Sequence, residues 1–221
     1  MPSILVYLVR HGETAENRQH IIQGQLDTQL NETGRDQARR LAISLKDTQF
    51  ARVYSSDLTR AVDTANAVLE FHPDRLLVPQ HLLRERYFGA LQGKIRTSAE
   101  NPPDVESLDD LIKRTLSWWD NTIIPLTHVE ASHNIKVLAV GHGAFIASLI
   151  QGLGTQRQYD ITKVRPGRIL NSGITIIKVE PSGVGELLQF AETGHLKEAQ
   201  GDVVQTNVDE IGLRDGQRVR I

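Results

Sequence analysis

Two short runs, Ser3 to Val9 and Ile135 to Val140, are apolar almost throughout, and they constrain the fold more than any other feature. A strand with one wet face alternates apolar and polar residues. A strand without that alternation is covered on both faces, as in a parallel sheet held between two layers of helices. The rest of the chain supplies such helices. Ala38, Leu41, Ala42 and Leu45 recur at i, i+3, i+4 and i+7 behind Thr33, a residue type that caps helix N-termini. Leu58, Ala61, Val62, Ala65, Val68 and Leu69 make a second stripe behind Asp57. Leu108, Leu111, Ile112, Thr115 and Trp119 outline a third helix ended by Pro125, and an apolar helix runs from Gly143 through Leu153.

Shorter strands are expected at Val53 to Ser55 and at Leu76 to Val78. Ser172 to Val179 and Glu186 to Phe190 read as two more, paired as a hairpin around Pro181-Ser182-Gly183, while Gly89 to Glu106 reads as loop. Alternating strands and helices predict one three-layer α/β/α domain with a mostly parallel sheet over residues 1–199. Residues 200–221 are polar and are expected to form a mobile tail.

Composition narrows the chemistry. The 221 residues suit one domain, and 39% apolar with 24% charged residues is ordinary for a globular fold. The absence of cysteine removes disulfides, thiolate nucleophiles and sulfur-based zinc sites. It fits a cytoplasmic protein, with the nucleus left open. The run Ile4 to Val9 is far short of the ~18 apolar residues of a membrane span. It also lacks a preceding basic region, so it is read as a strand and not as a signal peptide. The formal net charge of −2 argues against a nucleic-acid binder that works by phosphate neutralisation. If the partner is an anion, positive charge must be gathered in a pocket.

Ligands of open α/β sheets sit beyond the carboxyl ends of the strands. His11 follows the first strand directly, between Arg10 and Gly12, where the backbone can approach an anion closely and the next N–H groups can point at it. His142 follows the Ile135 to Val140 strand in Gly141-His142-Gly143, at a helix N-terminus that adds partial positive charge. Arg60 follows Ser55-Ser56 in the first turn of the second helix, off its apolar stripe. A guanidinium there can match phosphate oxygens two at a time. Any one of these residues alone is more often structural than catalytic. Three strand ends delivering His, Arg and His to one edge of a sheet is a different matter.

The chain resembles the histidine phosphatase superfamily, in its phosphoglycerate-mutase-like branch, from Val6 to about Ile177. The resemblance rests on Arg10-His11-Gly12 with Asn17, on Gln23-Gly24, and on Ser55-Ser56-Asp57-Leu58-Thr59-Arg60. It continues through Leu83-Arg84-Glu85-Arg86-Tyr87-Phe88-Gly89, Gly141-His142-Gly143 and Asn171-Ser172-Gly173. It implies that His11 is the nucleophile and becomes a phosphohistidine, and that Glu85 protonates the leaving oxygen and then deprotonates the attacking water. It further implies that Arg10, Arg60 and His142 neutralise the phosphoryl oxygens, with Gly143 beside them, that Asn17 donates to the phosphate, and that Gln23 and Gly24 border the pocket. A charged His142 would raise the local positive charge to three. No cofactor and no metal is expected, since no HExxH or paired-aspartate arrangement is present.

Two decoys fail on spacing. Gly89 to Ile95 resembles a phosphate-binding P-loop but has three residues between its glycines, where four are needed, and Ile95 where Ser or Thr belongs. Gly141 to Ile146 lacks the third glycine of a dinucleotide fingerprint. His20, His72, His81, His128 and His133 are read as solvated, His195 is not counted among the site residues, and the sequon at Asn31 is read as unused. The helix from Glu106 to Pro125, with Arg114 and Trp119, resembles that of the family's mutases. Only about a dozen residues separate Gly93 from Glu106, however, with Lys94 and Arg96 as the basic ones. The long, arginine-bearing mutase insertion is therefore missing, and a phosphatase acting on small phosphate monoesters is expected: sugar phosphates or bisphosphates, or phosphoglycerates. Phosphoglycerate-mutase-type transfer and a catalytically silent phospho-ligand binder are the alternatives, and a homodimer is left open.

Overall fold

A computed structural model describes residues 3–95, 102–129, 134–165 and 167–197. In chain order its elements are β1 (Ile4–Arg10), α1 (Ala15–Arg18), α2 (Glu32–Leu45), β2 (Phe50–Ser55), α3 (Thr59–Leu69), β3 (Leu77–Pro79), α4 (Leu108–Trp118), α5 (Leu126–Val129), β4 (Ile135–Gly141), α6 (Gly143–Gln156), β5 (Ile174–Val179) and β6 (Gly185–Glu192). They form one sheet in the order β3-β2-β4-β1-β5-β6, in which β1, β2, β3 and β4 run parallel and β5 runs against both its neighbours. The mostly parallel sheet and the β5–β6 hairpin match the expectation.

The two unalternating runs, β1 and β4, lie side by side at the centre, with Val6 beside Val137 and Arg10 beside Gly141. Both faces are covered. On one, Leu41, Ala42 and Leu45 of α2 and Ala61, Ala65 and Val68 of α3 pack on Val9, Val53, Leu138 and Val140. On the other, Ile112 and Leu116 of α4 and Phe145, Ile146, Leu149 and Leu153 of α6 pack on Val6, Leu8, Val137 and Ala139. Burial on both faces is the physical reason for the missing alternation.

Two helix starts differ from expectation. α2 is capped by Asn31, whose side-chain oxygen accepts from the Gly34 N–H at 2.8 Å, and Thr33 lies inside the first turn, where its hydroxyl accepts from Arg18 at 2.8 Å. Asp57 does not cap α3 but forms a two-pronged ion pair with Arg84 at 2.7 Å. The cap residue Leu58 has no hydrogen-bonding group on its side chain, and Asp27 reaches in from another loop and accepts from the Thr59 N–H at 2.7 Å. A cap supplied from a distant loop leaves no local sequence signal. α4 continues as a π-helical turn over Trp119–Ile123 up to Pro125. Residues 200–221 and His133 lie outside the described residues. Among the described residues no helix is long and apolar enough to cross a membrane.

Candidate active site

Parallel pairing brings the strand ends into register, so Arg10 lies beside Gly141 and Ser55 beside Val140. The residues that follow then meet at one edge. The rings of His11 and His142 are 5.1 Å apart, centroid to centroid, edge to face. His11 is 2% exposed, and Arg60 and His142 are fully buried. The Nδ1 of His11 lies 2.7 Å from the Gly12 carbonyl, and since a carbonyl only accepts, Nδ1 carries the proton. Nε2 is therefore a lone pair, and it accepts from the Nε of Arg60 at 3.3 Å.

Burial pushes the pKa of His11 well below 6.5, and the charges of Arg60 and Arg10 push it further. His142 is also lowered well below its ordinary value, again by burial first, then by Arg60, His11 and Arg10. Both rings are neutral at pH 7. This corrects the expectation of a charged His142, because two buried arginines beside a desolvated imidazole oppose a third positive charge.

Several buried polar atoms face no partner. The Nε and Nη2 of Arg10 and both ring nitrogens of His142 are buried without a hydrogen bond, while the Nη1 of Arg10 is anchored on the Ile169 carbonyl at 2.8 Å. Buried polar atoms are normally satisfied, and a guanidinium left with two idle nitrogens beside a ring nitrogen calls for an anion. Arg60 instead gathers the pocket wall. Its Nη2 donates to the Gly24 carbonyl at 2.8 Å and its Nη1 to the Leu26 carbonyl at 2.7 Å. Gly24 turns there with φ of +51°, which L side chains rarely adopt, and a Cβ would run into the Gln92 side chain.

Asn17 and Gln23 are both buried at the site, but their oxygens serve the loop. The Oδ1 of Asn17 accepts from the Thr14 N–H at 3.2 Å and from Asn171 at 3.2 Å. The Oε1 of Gln23 accepts from the hydroxyls of Thr14 at 3.0 Å and Thr28 at 2.6 Å. Gly143 opens α6, with His142 as its cap residue.

Glu85 is 2% exposed and sits at the start of α6. Its oxygens accept from the Arg86 N–H at 2.7 Å and the Ala144 N–H at 3.1 Å. The Glu85 segment hangs from α4. Arg114 forms a two-pronged ion pair with Glu106, both contacts at 2.8 Å. The same guanidinium donates to the carbonyls of Leu82 at 2.8 Å, Arg84 at 2.8 Å and Glu85 at 3.2 Å.

Sequence reasoning placed Arg10, His11, Arg60, Glu85, His142 and Gly143 together, and the structure does so. It missed the supports. Thr64 accepts from the Gly12 N–H at 3.0 Å, and Asn171 donates to the His11 carbonyl at 3.0 Å. The Glu106–Arg114 pair gave no signal beyond a helix pattern. His72 is 7% exposed rather than solvated, its ring edge-on to Phe50 at 5.4 Å. Among the described residues no cluster of His, Asp or Glu could hold a metal ion.

Residues 6–192 match the family described as the histidine phosphatase superfamily (branch 1). The probable phosphatase C1687.21 of Schizosaccharomyces pombe is 33% identical over 87% of this chain and 95% of its own length. The fructose-2,6-bisphosphatase TIGAR of Bos taurus is 40% identical over 84% of this chain and 92% of its own. Among solved structures, a phosphoglycerate mutase from Bacillus anthracis superposes with a TM-score of 0.76 at 26% identity, covering 88% of this chain and 96% of that one.

Proposed function

We propose, from the premise that this chain belongs to the histidine phosphatase superfamily, that it hydrolyses small phosphate monoesters through a phosphohistidine on His11. The observation that carries this reading is the lone pair of His11 Nε2, fixed by the Nδ1 bond to Gly12 and set among idle buried donors of Arg10 and His142. A neutral imidazole is the nucleophilic form, and its low pKa keeps it so.

In the first step Nε2 forms a bond to phosphorus while the ester P–O bond breaks, and Glu85 gives its proton to the departing oxygen. Arg10 through Nε and Nη2, Arg60 and His142 take the charge spread over the equatorial oxygens, with Asn17 as a further donor and Gly143 lining the helix end. In the second step water attacks the phosphohistidine, Glu85 takes its proton, the P–N bond breaks and inorganic phosphate leaves. No metal enters, since two arginines supply the charge a cation would.

Hydrolysis is favoured over mutase transfer because the stretch between Gly93 and Glu106 is short, which leaves a phosphohistidine open to water. The name of the bovine relative makes a sugar bisphosphate the narrower choice among sugar phosphates and phosphoglycerates. Rapid quench with labelled substrate is expected to trap acid-labile, base-stable phosphate on His11, and His11→Ala to lose several orders of magnitude in rate. A loss of less than about tenfold overturns the mechanism. With 3-phosphoglycerate and a bisphosphoglycerate primer, production of 2-phosphoglycerate faster than free phosphate overturns the choice of hydrolysis.

A further inference from the structure

The turn after β1 spends its backbone donors inside the protein. The Gly12 N–H donates to the Thr64 hydroxyl at 3.0 Å, the Glu13 N–H to the Oε1 of Gln37 at 2.8 Å, and the Thr14 N–H to the Oδ1 of Asn17 at 3.2 Å. The N–H groups after His11, expected from the sequence to face an anion, are thus taken up by side chains. Gln37 comes from the core-facing side of α2, where it is 2% exposed among Gly34, Ala38, Leu41, Ala42 and Leu45. A backbone N–H only donates, so the amide oxygen of Gln37 faces it, and the Nε2 of that amide is left buried without a hydrogen bond. An amide kept in an apolar helix face with its nitrogen unsatisfied is costly unless its oxygen has a task.

The Glu13 N–H and the Gly12 carbonyl belong to one planar, trans peptide unit, so they point to its opposite edges. That carbonyl is the one 2.7 Å from the Nδ1 of His11. An unbroken line therefore runs from the Oε1 of Gln37 through the peptide to the imidazole, whose far end is the Nε2 lone pair. Gly12 cannot hold this peptide itself. A Cβ there would lie 2.5 Å from the Gly34 carbonyl oxygen, so the position requires glycine, and glycine leaves the peptide planes on either side of it free to turn. Thr64 holds the plane before Gly12, and Gln37 holds the plane after it. On the other side of the ring Arg60 is the looser restraint, with its Nε 3.3 Å from Nε2.

We infer that Gln37 is a positioning residue: by holding the Glu13 N–H it fixes the Gly12 carbonyl, keeps the proton of His11 on Nδ1 and aims Nε2. This rests on the reading of His11 as nucleophile. Without the amide oxygen, the buried Glu13 N–H turns toward another acceptor and takes the Gly12 carbonyl with it. The bond made by one ring nitrogen decides the state of the other, and an aiming error near 1 Å can cost about a hundredfold in rate.

The test compares Gln37→Met and Gln37→Glu with wild type, measuring kcat and KM on p-nitrophenyl phosphate and the ring-nitrogen NMR signals of His11 in the unliganded enzyme. Gln, Met and Glu are helix formers of similar strength, so α2 is not at stake; Met removes the acceptor, and Glu keeps an accepting oxygen in either protonation state. The expected result for Gln37→Met is a kcat lower by roughly ten- to a hundredfold, with KM within about threefold and ring signals shifted toward a mixture of the two tautomers, and with Gln37→Glu recovering most of the loss. A kcat for Gln37→Met within twofold of wild type overturns the inference, and so does a loss that Glu does not recover or that leaves the ring signals unchanged. A side chain that only stabilised α2 would lower the urea midpoint and move neither kcat nor the ring signals. Should the Met variant fail to fold, Gln37→Asn takes its place, since its oxygen falls one carbon short of the Glu13 N–H: Glu exceeding Asn in kcat supports the inference and equal values overturn it. Activity that survives His11→Ala would defeat the nucleophile reading itself, a result independent of the Gln37 comparison.

Discussion

Arg10→Lys separates the charge of this residue from its shape. In the native site one guanidinium does two things: Nη1 is anchored on the Ile169 carbonyl at 2.8 Å, and Nε and Nη2 are left over, buried and aimed at nothing in the protein. Lysine keeps the positive charge but has a single nitrogen on a flexible stem. If that nitrogen stays on Ile169, at most one of its remaining N–H groups can face the phosphoryl oxygens; if it turns to the oxygens, Ile169 loses its donor. Either way one of two preorganised donors is lost. Removing one such donor typically costs about 2.7–4 kcal/mol in the transition state, or roughly 10²–10³ in kcat. Initial rates on p-nitrophenyl phosphate, with orthovanadate inhibition measured alongside, are expected to show that loss, and weaker vanadate binding with it. Vanadate imitates the five-coordinate phosphorus and therefore reports the same geometry. A Lys variant within about threefold of wild type in both measurements would mean that net charge alone suffices, and the argument from idle donors would be wrong.

Glu85→Gln is expected to slow hydrolysis of a sugar phosphate by roughly 10²–10⁴, the scale of general-acid catalysis, and to spare p-nitrophenyl phosphate, whose leaving group departs without a proton; equal losses on both would make Glu85 a binding residue. Because the pKa values of His11 and His142 lie well below 6.5 in the fold, kcat/KM corrected for substrate ionisation should hold level through pH 6.5 and fall only well below it. The same shift has a stability sign: the unfolded chain takes up protons near pH 6.5 where the fold does not, so urea midpoints should decline as pH falls below 6.5, and a midpoint unchanged between pH 7.5 and pH 5 would contradict the neutral pair. Glu106→Gln breaks an ion pair whose side chains are only 16% and 15% exposed, and urea unfolding should register a loss of roughly 1.5–3 kcal/mol, the usual worth of hydrogen bonds to charged groups.

The parts of this molecule legible in the sequence are those written locally. β1 and β4 announce themselves because burial on both faces removes alternation, and the residues after them, His11 and His142, inherit their places from parallel register. Arg60 could be placed because a first-turn residue off the apolar stripe has one direction to point. What stayed hidden acts across the chain. Asp27 caps α3 from 32 residues away, and Asn171 reaches the His11 carbonyl from 160 residues away; no window of sequence contains both ends. The state of His142 was misread for a related reason. Its neutrality comes from burial beside Arg60 and Arg10, a sum over three separate elements. His72 looked like a loop residue, and only the packing of Phe50 against its ring put it inside.

The suspension of the Glu85 segment from Arg114 and Glu106 has an evolutionary reading. His11, Arg10 and Arg60 are set by strand ends and the first turn of α3, while the Glu85 segment is held by Arg114 and Glu106 at α4. The two halves of the reaction thus answer to different stretches of gene. On the proposed mechanism, substitutions in α4 would reach Glu85, and the leaving group it serves, before they reach the donors that hold phosphate. A fold divided in this way lets new substrate ranges be sampled by mutation without passing through ancestors that have lost the chemistry.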